Sequence, residues 1–222
     1  MNNNLQSSLN RFTPSYPMPR ALPGFGDIRR YWDKDFKCYA AKILPGEYYV
    51  TTNREIIVTS LGSCIAACVR DKIAGIGGMN HFMLPANYRV DDESVTNRKD
   101  NLANRYGNYA MENLINDILK NGGKRENLEI KIFGGGKILA RMTDVGARNI
   151  SFIEEYIFTE KLNLLAKDVG AEFPRRVIYD PFTGKAKVKK LRALTSDTII
   201  EREKRYLENI RESSITGDIE LF

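Results

Sequence analysis

Histidine is nearly missing from this chain: His81 is the only one in 222 residues. That argues against zinc centres built on several imidazoles. Cysteine is scarce and odd in number, with Cys38, Cys64 and Cys68. Three thiols do not make a disulfide framework and suit a reducing compartment. Long hydrophobic runs are missing too. The longest apolar stretch, Ile56 to Val69, is broken by Thr59, Ser60, Gly62 and Ser63, which is too short and too interrupted to span a bilayer. The start, MNNNLQSSLNRF, has neither the basic opening nor the apolar centre of a secretory signal. A cytoplasmic protein without membrane insertion is the expectation. There is no internal repeat and no heptad run.

Charge excludes less. The net charge of +6 favours encounters with acidic partners. The basic residues are spread along the chain, with small clusters at Arg175-Arg176 and Lys185–Lys190. No nucleic-acid motif, charged stripe or stacking aromatic set accompanies them, so a nucleic-acid partner is not expected.

What remains is ordinary globular material. A mass of 25.3 kDa with 42% hydrophobic and 28% charged residues suits one domain with extensions. Residues 1–45 are expected to be a partly flexible N-terminal extension, 46–194 the domain, and 195–222 a helical tail. Within the first part, Met1 to Gly26 is rich in Asn, Ser and Pro without sustained period and reads as a flexible lead. Residues 28–36 (IRRYWDKDF) are aromatic and charged, and spacing does not decide whether they dock on the domain or on a partner.

Glu55 to Thr59 reads as a strand broken by Gly62-Ser63. Cys64 to Val69 is short and apolar and fits a buried strand or the first turns of a helix equally. Ile73 to Leu84 is Gly-rich and apolar and reads as a strand ended by Pro85. Asn87 to Asn101 is polar, an expected exposed loop. Leu102 to Leu119 carries Tyr106, Ala110, Met111, Leu114, Ile115 and Ile118 at helical spacing, with Gly122-Gly123 as the stop. Leu128 to Phe133 alternates strictly and predicts a strand with one covered face. Ile150 to Leu165 predicts a second helix. Arg176 to Tyr179 and Ala186 to Leu191 predict strands joined by the turn residues Asp180 to Gly184. Thr195 to Glu212 places Ile199, Glu203, Tyr206 and Ile210 at helical spacing behind a Thr195 or Ser196 cap. Mixed strands and helices of this kind indicate a layered α+β (mixed α/β) domain.

Cys64 and His81 carry the candidate chemistry. A lone histidine on an apolar strand is more often a satisfied core residue, and a cysteine among small residues is usually inert. Here Cys64 follows Leu61-Gly62-Ser63, a turn directly after a strand, where backbone N–H groups are left free. If Cys64 opens a helix, the dipole lowers the thiol pKa. The same N–H groups, near Gly62 and Ser63, can hold an oxyanion. His81 has Gly75, Gly77 and Gly78 nearby, which lets backbones approach closely. A thiolate nucleophile with an imidazole acid–base partner is the pair that cysteine hydrolysis needs. Thr59 offers a hydroxyl that could orient the imidazole, although from spacing alone an ordinary strand residue is the simpler reading. A metal site is the rival chemistry, but Cys64-x-x-x-Cys68 with His81 lacks the second His or paired Cys of a usual zinc spacing.

Thr59-Ser60-Leu61-Gly62-Ser63-Cys64-Ile65-Ala66-Ala67-Cys68, followed by Gly78-Met79-Asn80-His81-Phe82-Met83-Leu84-Pro85, resembles the signature of the CheD family of chemoreceptor glutamine deamidases. Further blocks agree: Arg105-Tyr106-Gly107, Lys131 to Gly135, Gly146-Ala147-Arg148-Asn149, Asp168-Val169-Gly170, Arg175 or Arg176, and Thr183-Gly184. Gly170-Ala171 stands where the family usually has Gly-Gly. The resemblance covers roughly residues 46–191.

The resemblance implies a layered sandwich with inner β-sheets and outer helices, similar to deamidating bacterial toxins. It implies hydrolysis of receptor glutamine side chains to glutamate, with Cys64 as nucleophile, His81 as acid and base, and Thr59 (Ser60 as fallback) orienting His81. Gly62 and Ser63 would support the oxyanion. No metal or organic cofactor is implied. The implied partners are methyl-accepting chemotaxis receptors and a CheC-type phosphatase. A domain that only docks on these partners, without turnover, is the alternative.

Overall fold

Strands in this chain come in two sets, and the site lies where the chain passes from one to the other. The computed structural model describes residues 16–85, 93–138, 145–191 and 193–216. The first sheet has the order β1-β2-β4-β9-β10, built from β1 (Arg29–Asp33), β2 (Cys38–Lys42), β4 (Glu55–Leu61), β9 (Arg175–Asp180) and β10 (Lys185–Lys190). The second has the order β3-β6-β5-β7-β8, from β3 (Tyr48–Thr51), β6 (Ile76–Asn80), β5 (Ile65–Asp71), β7 (Leu128–Gly134) and β8 (Asn163–Val169). Both sheets are mixed: β2 runs parallel to β4, β7 parallel to β8, and the other pairs are antiparallel.

The sheets share one hydrophobic core. Ile57, Leu61, Val177 and Tyr179 of the first meet Ala66, Cys68, Met79 and Ile132 of the second. Helices α1 (Glu93–Lys120) and α2 (Val145–Thr159) pack on the second sheet, α1 on β3, β5 and β6 and α2 on β5 and β8. This is the expected α+β sandwich. Alternation along β4 is strict: Ile57 and Leu61 face the shared core, whereas Ile56 and Val58 join a small separate cluster with Ala40. Helix α3 (Ala193–Thr216) follows β10. No helix among the described residues is long and apolar enough to cross a membrane.

Several expectations are corrected. The lead is not free from residue 16 onward. Tyr16 packs edge-on against Trp32 and Tyr39, and buried Phe25 does the same against Tyr48 and Tyr49. The remainder of the expected lead, residues 1–15, lies outside the described residues. Arg30 of β1 is tied to Glu55 of β4 by two hydrogen bonds of 3.0 and 2.8 Å, so this segment joins the sheet. Polar residues 93–101, expected as loop, are the first turns of α1, while 86–92 lie outside the described residues. The second helix starts at Val145 and ends at Thr159, because Lys161 turns left-handed (φ 52°). Leu164 and Leu165 therefore belong to β8, not to that helix. The strand expected over Ile73–Leu84 is confined to Ile76–Asn80 and leaves His81 just beyond its end.

Candidate active site

Cys64 sits at the corner between the sheets, after β4 of the first and before β5 of the second. It does not start a helix: Ile65–Asp71 is a strand, so the expected dipole of a helix opened by Cys64 is not what acts on the thiol. The backbone supplies a different device. The carbonyl of Gly62 accepts from Gly136 N–H (2.7 Å), that of Ser63 from Asn149 Nδ2 (2.8 Å), and that of Cys64 from Gly135 N–H (2.8 Å). All three carbonyls are thus held by the loop after β7 and by α2. The three matching N–H groups converge instead on one carboxylate, that of Glu203 in α3. Glu203 Oε1 accepts from Gly62 N–H (2.7 Å) and Cys64 N–H (3.2 Å), and Oε2 from Ser63 N–H (2.8 Å) and Ser63 Oγ (2.7 Å). Successive N–H groups aimed at one point form an anion cradle.

Glycines make the corner possible. A Cβ on Gly62 would strike the Ile138 side chain and come 2.8 Å from Glu203 Oε2. Gly134 takes φ 113°, and a Cβ there would strike the Cys64 carbonyl.

His81 is anchored through its own backbone. Its N–H donates to Glu47 O (2.9 Å) and its carbonyl accepts from Gly46 N–H (2.7 Å), while neighbouring Phe82 exchanges two 2.9 Å bonds with Ile65. Thr59 reaches the ring: its Oγ1 lies 2.7 Å from His81 Nδ1. Thr59 Oγ1 also donates to the Ile43 carbonyl at 2.9 Å. A hydroxyl has one proton, and a carbonyl can only accept. The Thr59 proton is thus committed to Ile43, and Nδ1–H of His81 donates to Thr59. That tautomer leaves a lone pair on Nε2, a buried atom with no hydrogen-bond partner among the described residues. Thr59, not Ser60, meets the histidine, because Ser60 alternates to the other face among Arg29, Lys42 and Arg176.

Ligand atoms of Cys64, His81 and Glu203 all lie within 4.8 Å of one another. Sulfur, nitrogen and carboxylate oxygen together can hold a soft cation. Here, a cation would have to draw Glu203 away from four N–H and O–H donors. Cys64 is 0% and His81 1% exposed. Burial, and secondly the Glu203 carboxylate, push the Cys64 thiol well above its usual range. Burial, with Arg202 second, lowers His81 to about 3. The resting pair is therefore a neutral thiol beside a neutral imidazole. Cys68 points into the core, fully buried.

Two participants were missed in the sequence. Asn149 lies in the Gly146–Asn149 block, but nothing local shows that its amide reaches both Ser63 O and, through Oδ1, Leu84 N–H (2.9 Å). Glu203 did leave a trace: a carboxylate in line with Ile199, Tyr206 and Ile210 on what proves to be the covered face of a helix.

Comparison with known proteins places the chain among relatives of one kind. The family model described as CheD chemotactic sensory transduction matches residues 83–190. That segment begins two residues beyond His81, so it contains neither Cys64 nor His81. Full-length similarity extends over both. A probable chemoreceptor glutamine deamidase CheD of Halorhodospira halophila is 53% identical over 210 residues, 92% of this chain and 94% of the relative. Proteins of the same description from Hahella chejuensis and Saccharophagus degradans are 47% and 50% identical, over 93% and 91% of this chain and 96% and 93% of their own lengths.

Proposed function

The chain belongs to the CheD family, and from that premise we propose that it hydrolyses glutamine side chains of methyl-accepting chemotaxis receptors to glutamate in the cytoplasm, with Cys64 as nucleophile. The supporting observation is the joint geometry of Cys64, the lone pair on His81 Nε2, and three backbone N–H groups already holding a carboxylate.

The chemistry follows from those atoms. His81 Nε2 takes the Cys64 proton, and the thiolate attacks the carboxamide carbon. The developing oxyanion is held by N–H groups of Gly62, Ser63 and Cys64, and the peptides carrying the last two are fixed through the Gly62 and Ser63 carbonyls, so those donors need no reorganisation. Collapse breaks the C–N bond, and Nε2–H protonates the departing ammonia. Water, deprotonated by Nε2, cleaves the thioester, releasing glutamate and the thiol. Thr59 keeps the ring in the tautomer this cycle requires. The same cradle that binds the oxyanion suits the carboxylate product. No metal or organic cofactor enters this scheme. A CheC-type phosphatase is proposed as a second partner. Phe158, 84% exposed near the end of α2, lines one surface with Leu162 and Leu164 and offers it an apolar contact.

The test is incubation with receptor cytoplasmic fragments and mass spectrometry of glutamine-to-glutamate conversion. Cys64→Ala and His81→Ala should each abolish it. Conversion that survives Cys64→Ala overturns the assignment.

A further inference from the structure

Nothing outside the chain can reach the proposed nucleophile in this structure. Cys64 and His81 are 0% and 1% exposed, and the anion cradle is filled. What fills it is the side chain of a glutamate, presented from a helix of the same chain. A glutamate side chain is also the product of the proposed reaction. We propose that α3 is a tethered product mimic: Glu203 occupies the site, the docked state is self-inhibited, and turnover requires α3 to leave. This rests on the reading of Cys64 and the cradle as the deamidase site.

Three observations carry it. First, Glu203 is 1% exposed, and its carboxylate accepts from the N–H groups of Gly62, Ser63 and Cys64 and from the Ser63 hydroxyl. A buried carboxylate is costly unless its hydrogen bonds are complete, so the cradle is what holds it. Second, among the described side chains of α3 the docking face is a single narrow stripe. Ile199, Leu207 and Ile210 are buried at 4%, 2% and 6%, while Lys204, Arg205 and Glu208 are exposed. Third, the site is shaped for the helix. Gly46 has φ 87°, and a Cβ there would lie 2.8 Å from the Tyr206 ring, so this glycine admits Tyr206. The Tyr206 hydroxyl in turn contacts that of Tyr106 on α1. Beside this contact, a cavity of about 300 Å³ between α1 and the Gly46-Glu47 turn runs to His81.

The experiment uses the full chain and iodoacetamide under native conditions, with alkylation of Cys38, Cys64 and Cys68 resolved by peptide mass spectrometry. In wild type, Cys64 should react slowly, like Cys68. In Glu203→Ala, Cys64 should react at least about tenfold faster, since every 1.4 kcal/mol of lost docking is a factor of ten in the open population. Cys68 should stay protected and so monitors the fold. If Glu203→Ala also exposes Cys68, Tyr206→Ala, which removes only an outer contact of α3, decides by the same readout. Cys64 alkylation unchanged in both variants overturns the proposal. Parallel deamidation assays separate the two readings. Faster alkylation with no deamidation by any form leaves Glu203 as the cover over Cys64 and removes the deamidase assignment. Cys64-dependent deamidation with unchanged alkylation does the reverse.

Discussion

Thr59 and His81 are joined across the two sheets, Oγ1 to Nδ1 at 2.7 Å, and the single proton on Thr59 fixes which imidazole nitrogen is free. Thr59→Val removes that acceptor at nearly constant volume. Deamidation should fall by roughly 10²-fold or more, the scale of a misplaced general base. Thr59→Ser keeps the hydroxyl and should restore most of the rate. Steady-state kinetics of the three proteins, with thermal unfolding as the control, checks this. Equal losses in both variants would assign the effect to packing.

His81 should make the protein sensitive to acid. Its pKa is near 3 folded against an ordinary 6.5, with Arg202 the charged neighbour that adds to burial. The unfolded chain therefore takes up a proton between these values and the folded one does not. This contribution is complete above pH 6.5 and is lost as pH falls toward 3, at about 1.4 kcal/mol per unit. Urea unfolding from pH 7 downward should show the slope, and His81→Gln should flatten it. With a single histidine in the chain, all imidazole NMR signals belong to His81, so the titration can be assigned without ambiguity.

Asn149→Ala should harm both stability and rate. It removes the donor to Ser63 O and the acceptor for Leu84 N–H, leaving two buried backbone groups unpaired at about 1–3 kcal/mol each. The freed Ser63 peptide also loosens the cradle. Lower kcat with little change in KM, together with a lower Tm, is the expected pattern. A fall in Tm alone would mean that the cradle holds without Asn149.

Glu203→Gln turns the occupant into a substrate. Cys64 should attack the carboxamide of residue 203 and release ammonia, and water should then hydrolyse the thioester to glutamate and the free thiol. Mass spectrometry of the purified variant should find glutamate at position 203. The same variant carrying Cys64→Ala should retain glutamine.

Cys64 and His81 stand out in the sequence only through the blocks around them, which resemble the CheD signature, and the structure brings their side chains together. Thr59 over Ser60 follows from the two-residue period once β4 is known to reach Leu61. Other features were hidden for physical reasons. Leu164 and Leu165 satisfy a helical and a strand period equally, and the backbone turn at Lys161 decides. The first turns of α1 are polar and carry no apolar stripe. β1 and β2 join the first sheet through pairing and the Arg30–Glu55 contact, which no local pattern encodes. The bonds from Gly62, Ser63 and Cys64 to Glu203 span 139–141 positions, far beyond any window of periodicity. Ala171 shows the opposite situation. It adopts φ 64° where glycine is usual, a departure visible in the sequence whose conformational cost only the backbone reveals.

Helix α3 joins β10 through residues 191 and 192 alone. A ligand on so short a leash faces its own site at an effective concentration in the millimolar range, unaffected by dilution of the protein. A free target in solution would compete poorly against it. Targets packed side by side in an array reach comparable local densities. If α3 must leave for turnover, the tether sets a threshold that crowded targets pass and a few scattered copies do not.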